Sequence, residues 1–159
     1  MRRKAALLVA VMLVATIGVA AFLFLQRSKP PASPSDPANA MQVAAGQAIY
    51  AANCAGCHGD QLQGQPNWKA RKADGKLPAP PHDATGHTWH HPDRQLFDIV
   101  KRGVGAIVPN YPTDMIGFGS KLSDQDIWNV LAYIKSRWPA DIQAKQAEMT
   151  RAAAQQTVK

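Results

Sequence analysis

Cys54-Ala55-Gly56-Cys57-His58 is the stretch on which the reading of this chain turns. Two cysteines separated by two residues and followed at once by histidine form the attachment pattern of a c-type haem. The spacing has a chemical reason. Each thiol adds across one porphyrin vinyl group, and the two sulfurs lie about one helical turn apart. His58, next to the second sulfur, then falls under the iron as its proximal ligand. The chain has two cysteines in all, so both are committed here. No structural disulfide is left, and a four-cysteine iron–sulfur cluster cannot be built by this chain alone. Two other chemistries use C-x-x-C. A thioredoxin-like redox pair normally opens a helix after a buried strand, and no strand pattern precedes Cys54. A zinc site wants a further cysteine or histidine pair.

Upstream, residues 41–53 are alanine-rich, with apolar positions at Val43, Ala44, Ala48, Ile49 and Tyr50. This predicts an amphipathic helix leading into the motif. Gly46 inside it costs about 1 kcal/mol against alanine, which close approach to another helix would offset. Downstream, residues 59–91 read as irregular, with Pro66, Pro78, Pro80 and Pro81 among four glycines. So long a loop is unusual in a compact domain unless it packs on a cofactor.

Residues 91–103 carry both helix signals. Pro92 and Asp93 stand at the start, Lys101 and Arg102 in the last turn, and Gly103 just past it. Leu96, Phe97, Ile99 and Val100 supply the buried stripe. Residues 104–121 read as another loop, which contains Met115. Ser123 and Asp126 then form a variant capping box, and Ile127, Val130, Leu131 and Ile134 share one helical face. Trp138-Pro139 closes that helix. Residues 140–159 predict a tail helix, packed at its start through Ile142 and Met149 and frayed at its end.

At the other end, residues 5–25 hold no charge and one polar side chain, Thr16, behind Arg2, Arg3 and Lys4. The run is long enough to span a bilayer. It exceeds a usual signal-peptide core and lacks a clear small-x-small cleavage site, although Val19-Ala20-Ala21 offers a weak one. The expectation is a retained single-pass anchor over residues 1–27. The basic start places the N-terminus in the cytoplasm. Residues 28–40 (SKPPASPSDPANA) read as a Pro-rich extended tether reaching roughly 40 Å.

Together these segments resemble a class I (mono-haem, His/Met) cytochrome c of the membrane-anchored bacterial type. The resemblance runs from about residue 45 to 139. It is carried by Gly46, Tyr50 and Cys54 to Gly59, by Met115-Ile116-Gly117-Phe118, and by Leu122 to Ile127 with Leu131 to Ile134. Many members have proline where Ile116 stands; the sulfur is kept. The resemblance implies an all-α domain over residues 41–139, four to five helices wrapped around one covalent haem, with the tail over 140–159. It implies haem c bound through Cys54 and Cys57, with His58 and Met115 as axial ligands. Of the five methionines, Met115 alone lies in a loop between the haem motif and the last domain helix. It implies that the carbonyl of Pro80 or Pro81, Pro81 being favoured, accepts the Nδ1–H of His58. It also implies that the first and last domain helices cross near Gly46, with Tyr50 and Tyr133 at the contact.

One stretch departs from the minimal family pattern: Gly86-His87-Thr88-Trp89-His90-His91. Three histidines in five residues suit either a second metal such as copper or contacts to haem propionates from His87, Trp89, His90 and His91. His82, His87, His90 and His91 are also the candidates for a bis-histidine iron.

The formal net charge is +7, three units of it from Arg2, Arg3 and Lys4. A mildly basic domain suits an acidic protein or an anionic membrane, and lacks the dense Lys/Arg stripe of a nucleic-acid binder. The expected function is a one-electron carrier rather than an enzyme. It would work in a respiratory or dehydrogenase-linked chain, between partners such as a quinol-oxidising complex, a dehydrogenase or a terminal oxidase. Its place would be the bacterial inner membrane with the haem domain in the periplasm, because c-type haem is attached on that side. The alternatives are a haem c subunit of a larger oxidoreductase, or a copper-handling protein using residues 87–91.

Overall fold

The structure is a computed structural model and describes residues 33–156. The segment expected to anchor the chain, residues 1–27, lies outside the described residues. Among the described residues, no helix is long and apolar enough to cross a membrane.

Helix α1 (Ala40–Asn53) starts where the Asn39 side chain accepts the backbone N–H groups of Met41 and Gln42. It runs almost directly into the single turn α2 (Ala55–His58), which carries the second cysteine and the histidine. After a long loop and a 3-10 turn (Thr88–His90) comes α3 (Asp93–Arg102). The single turn α4 (Val104–Ile107), α5 (Asp124–Ser136) and α6 (Ala140–Gln156) complete the order. The described residues thus hold six α-helices where four to five were expected. The difference comes from the single turns: Val104–Ile107 lies in sequence that its glycine and prolines mark as loop.

Helix α5 has the expected capping box. Ser123 accepts the Asp126 N–H, and Asp126 accepts the Ser123 N–H at 3.0 Å. Its apolar face enters two cores. Val130, Tyr133 and Ile134 join Tyr50, Ala55, Leu62 and Trp138. Ile127 and Leu131 join Leu96 and Phe97 of α3, with Trp128 stacked on Phe97 at 4.3 Å between ring centroids. Helices α1 and α5 cross at Gly46. A Cβ there would lie 2.0 Å from the Asn129 carbonyl oxygen, so only hydrogen fits. Tyr50 and Tyr133 meet at 5.4 Å one turn further on.

One expectation about the ends is corrected. Residues 33–39 are not an extended tether. Ser35 is fully buried, and its main-chain and side-chain oxygens accept from the Lys135 ammonium at 2.9 and 3.0 Å. That ammonium also pairs with the buried Asp93 carboxylate at 2.8 Å. Ser33 donates to the same carboxylate. The tail is packed as far as Thr150, and residues beyond it are mostly exposed. Gln146 is fully buried and donates to Asp93 at 2.7 Å, and Thr150 accepts the Asp93 N–H at 3.1 Å. The first backbone donor of α3, which Pro92 cannot cap with a side chain, is therefore satisfied from α6. A proline-rich composition predicted solvation, but one buried ion pair needs these extra partners to satisfy its remaining protons and lone pairs.

Candidate haem site

The pentapeptide is placed by packing on both sides. Tyr50, the last buried residue of α1, donates its hydroxyl to the Gly59 carbonyl at 3.0 Å, bridging the motif from before it to after it. Burial, with Cys54 next, raises the Tyr50 pKa, so the phenol stays a donor. Cys54 is half-buried against the first core and Cys57 is exposed. Among the described residues neither is paired in a disulfide. Burial, then the neighbouring Cys57, pushes the Cys54 thiol up to about 11.

The His58 ring is 7% exposed, and its Nδ1 lies 2.8 Å from the Pro80 carbonyl oxygen. A carbonyl only accepts, so Nδ1 carries the proton and Nε2 keeps its lone pair, the form a metal ligand requires. Burial lowers the His58 pKa and outweighs the Pro80 bond, which raises it. The acceptor is thus Pro80 and not the favoured Pro81. The two are chemically alike, and only the direction of the main chain separates them. Pro81 is buried, and its carbonyl instead faces Thr88 Oγ1 at 3.4 Å. Gly64 holds the pair in place. It sits at φ +67°, and a Cβ on it would come 2.6 Å from the Pro80 carbonyl carbon and 2.4 Å from the Pro81 nitrogen.

His82 was weighed from sequence only as an iron ligand. Its ring stacks on His58, with centroids 3.9 Å apart and planes 23° apart. Two imidazoles that share an iron point at each other across the metal and do not lie face to face. His82 therefore belongs to the support of His58 and not to the opposite side of the iron. Burial, then His58 and His87, holds its pKa well below the usual histidine range. No local pattern announces this contact; its one signal is the place of His82 directly after the Pro80-Pro81 pair.

Met115 lies in a loop fastened to the end of α3. Gly103 and Ile116 form an isolated antiparallel bridge. The N–H groups of Phe118 and Gly119 donate to the Val100 and Lys101 carbonyls, each at 2.9 Å. The Met115 N–H is held by Thr113 Oγ1 at 3.0 Å. Asp114, next to it, pairs with Lys72 at 3.0 Å and with Lys76. The Met115 side chain is half-buried. Sequence reasoning found the methionine and missed the lysines that reach its loop.

The histidines of the 87–91 cluster pack on aromatic rings and on one another. His87 stacks on Trp68 at 5.5 Å and meets His91 edge-on at 5.6 Å, while His90 stacks on Trp89 at 3.7 Å. Among the described residues, no group of three or more His, Cys, Asp or Glu side chains is placed to hold a metal ion. His87 and His90 are instead engaged in stacking on Trp68 and Trp89. Trp89 behaves differently. Its Nε1–H is buried with no protein acceptor. An indole donor left unpaired in a core is costly, so it marks a place where an acceptor outside the chain belongs. The adjacent thiols, the free Nε2 of His58 and this orphaned donor fit a haem whose propionate supplies the acceptor.

Residues 43–138 match the family model described as cytochrome c. The chain belongs to the cytochrome c family. It is 35% identical over 98 residues to a cytochrome c6 from Picosynechococcus sp., a match that covers 62% of this chain and 75% of that one. It is 34% identical over 101 residues to a thiosulfate dehydrogenase from Stutzerimonas stutzeri (strain A1501), covering 63% of this chain and 29% of that protein. The chain thus spans less than a third of the thiosulfate dehydrogenase it matches. No solved structure gives a significant match. Family membership carries a covalently bound c-type haem as cofactor and assigns this cytochrome c domain to electron transfer.

Proposed function

We propose that this cytochrome c is a one-electron carrier in a respiratory or dehydrogenase-linked chain. Cys54 and Cys57 would hold the haem by thioethers, His58 and Met115 would bind its iron, and Trp89 would donate to a propionate. The observation that carries the reading is the buried His58 ring, whose Nδ1–H is committed to Pro80 and whose Nε2 is left to bind. When bound, haem c supplies an iron that accepts and releases one electron. The protein's part would be to supply both iron ligands from its own side chains and to fix their surroundings. Pro80 sets the tautomer and donor strength of His58. The fastened loop presents the soft thioether of Met115, which favours the reduced metal and raises the potential. With His58 and Met115 both bound to the iron, a substrate would find no open position there.

The optical spectrum tests this. Wild type is expected to show the weak far-red sulfur-to-iron band when oxidised, and Met115→Ala to lose it. Absence of the band in wild type, or rapid peroxide turnover by the intact protein, would sink the carrier reading.

The charge pattern and the apolar run of residues 5–25 support a single-pass anchor in the bacterial inner membrane, N-terminus inside and haem domain in the periplasm. The partners on this reading are membrane redox complexes: a quinol-oxidising complex, a dehydrogenase or a terminal oxidase. The partial match to a thiosulfate dehydrogenase favours a second reading, a haem c subunit serving a larger oxidoreductase. Thiosulfate-dependent reduction of the isolated protein, set against reduction that needs an added dehydrogenase, separates the two.

A further inference from the structure

The Pro80 bond fixes which nitrogen of His58 carries the proton, but one hydrogen bond tolerates a wide range of ring rotations. Something must hold the plane of the ring. The face of His58 is covered by His82 at 3.9 Å, nearly parallel. His82 is itself tied from three directions. Its Nδ1 lies 2.8 Å from Thr88 Oγ1, in the 3-10 turn. Its main-chain N–H donates to Leu62 at 2.7 Å, and Leu62 is a core residue held at φ +65°. Its carbonyl accepts the indole N–H of Trp138 at 2.7 Å, from just beyond the end of α5. The edge of Tyr50 closes another side at 6.3 Å. The histidine ring is therefore a fixed surface, anchored to the haem-motif loop, the 3-10 turn and the last domain helix at once.

We propose that His82 is a positioning residue for the proximal ligand, locking the rotation of the His58 ring by stacking on its face. This rests on the reading of His58 as an axial ligand. Rotation of an axial imidazole changes its overlap with the iron orbitals, so the lock is readable in the electronics of the ferric centre. Local supports of this kind tune a metal through its ligands without touching it.

The experiment uses the haem-loaded full-length protein with three substitutions. His82→Phe keeps a flat face, His82→Leu keeps bulk without one, and Thr88→Val removes the side-chain tie on His82. Haem content and far-UV circular dichroism establish that each is folded. The readouts are the low-spin ferric g values by electron paramagnetic resonance and the reduction potential. The expected result is broadened or shifted g values and a moved potential in His82→Leu, a smaller change of the same kind in Thr88→Val, and wild-type values in His82→Phe. Wild-type g values and potential in His82→Leu would overturn the proposal. So would equal shifts in His82→Phe and His82→Leu, because the flat face would then not be the cause. A wild-type ferric spectrum without histidine ligation would instead overturn the ligation reading, and the proposal with it.

Discussion

The Lys135 ammonium lies 2.8 Å from the Asp93 carboxylate, with both side chains almost wholly buried. The pair gathers Ser33, Ser35 and Gln146 around one ionic contact. Breaking such a pair from one side strands a charge in the interior. Lys135→Met is therefore expected to lower unfolding stability by about 3–5 kcal/mol in denaturant titration. Removing residues 1–35 takes away the Ser33 and Ser35 partners and leaves the pair. It should cost less, about 1–3 kcal/mol. If that truncation were neutral, the packing of residues 33–35 would contribute nothing.

Gly46 offers a sharper steric test. A methyl group there meets the Asn129 carbonyl oxygen at 2.0 Å and Tyr133 Cβ at 2.9 Å, and backbone cannot swing away as a side-chain tip can. Gly46→Ala gains helix propensity of about 1 kcal/mol but forces the two helices apart. The net expectation is a loss of about 3 kcal/mol, read from the denaturation midpoint. A stabilised variant would mean that the helices do not cross there.

Gly64 tests the His58 hydrogen bond indirectly. Gly64→Ala places a methyl group against the Pro80–Pro81 peptide and pushes the Pro80 carbonyl off Nδ1. A weakened bond makes His58 a poorer electron donor, which disfavours ferric iron. The reduction potential should rise, and protein-film voltammetry measures it. An unchanged or lowered potential would contradict that role for Pro80.

Asp114 carries the pH and salt dependence of the Met115 loop. Its hydrogen bonds to Lys76, then Lys72, hold its pKa below the usual carboxylate value. A depressed folded-state pKa means that the contribution is complete above about pH 4, the unfolded value, and disappears as pH falls through the lowered one. These groups are solvent-exposed, so salt screens them. Asp114→Asn is expected to speed displacement of Met115 by added imidazole a few-fold at low ionic strength, with the difference closing at high salt. A salt-independent effect would point to the loop backbone instead.

What the sequence disclosed is what has local period or local chemistry. The C-x-x-C-H motif, the Ser123–Asp126 box and the Ile127–Ile134 face each lie within a few turns, and the structure has all three where they were expected. The Gly46 crossing was legible because a glycine in a helix asks for a reason. Contacts across the chain were not legible. Asp93 and Ser35 are 58 residues apart, and His58 and His82 are 24, with no pattern joining them. One clue was present. Lys135 stands four residues after Leu131, on the face that should be apolar, and a charge there asks for a partner.

The arrangement around Tyr50 also has a consequence in time. The side chains that cover the pentapeptide include Val130, Tyr133 and Trp138, and the hub at Asp93 is finished by Gln146 and Thr150. A chain emerging N-terminus first exposes both cysteines some eighty residues before those partners exist. Closure over the motif must wait for nearly the whole domain to be made. The motif is therefore made long before the helices that pack around Ala55 and Cys54, and Cys57 stays exposed even in the finished fold.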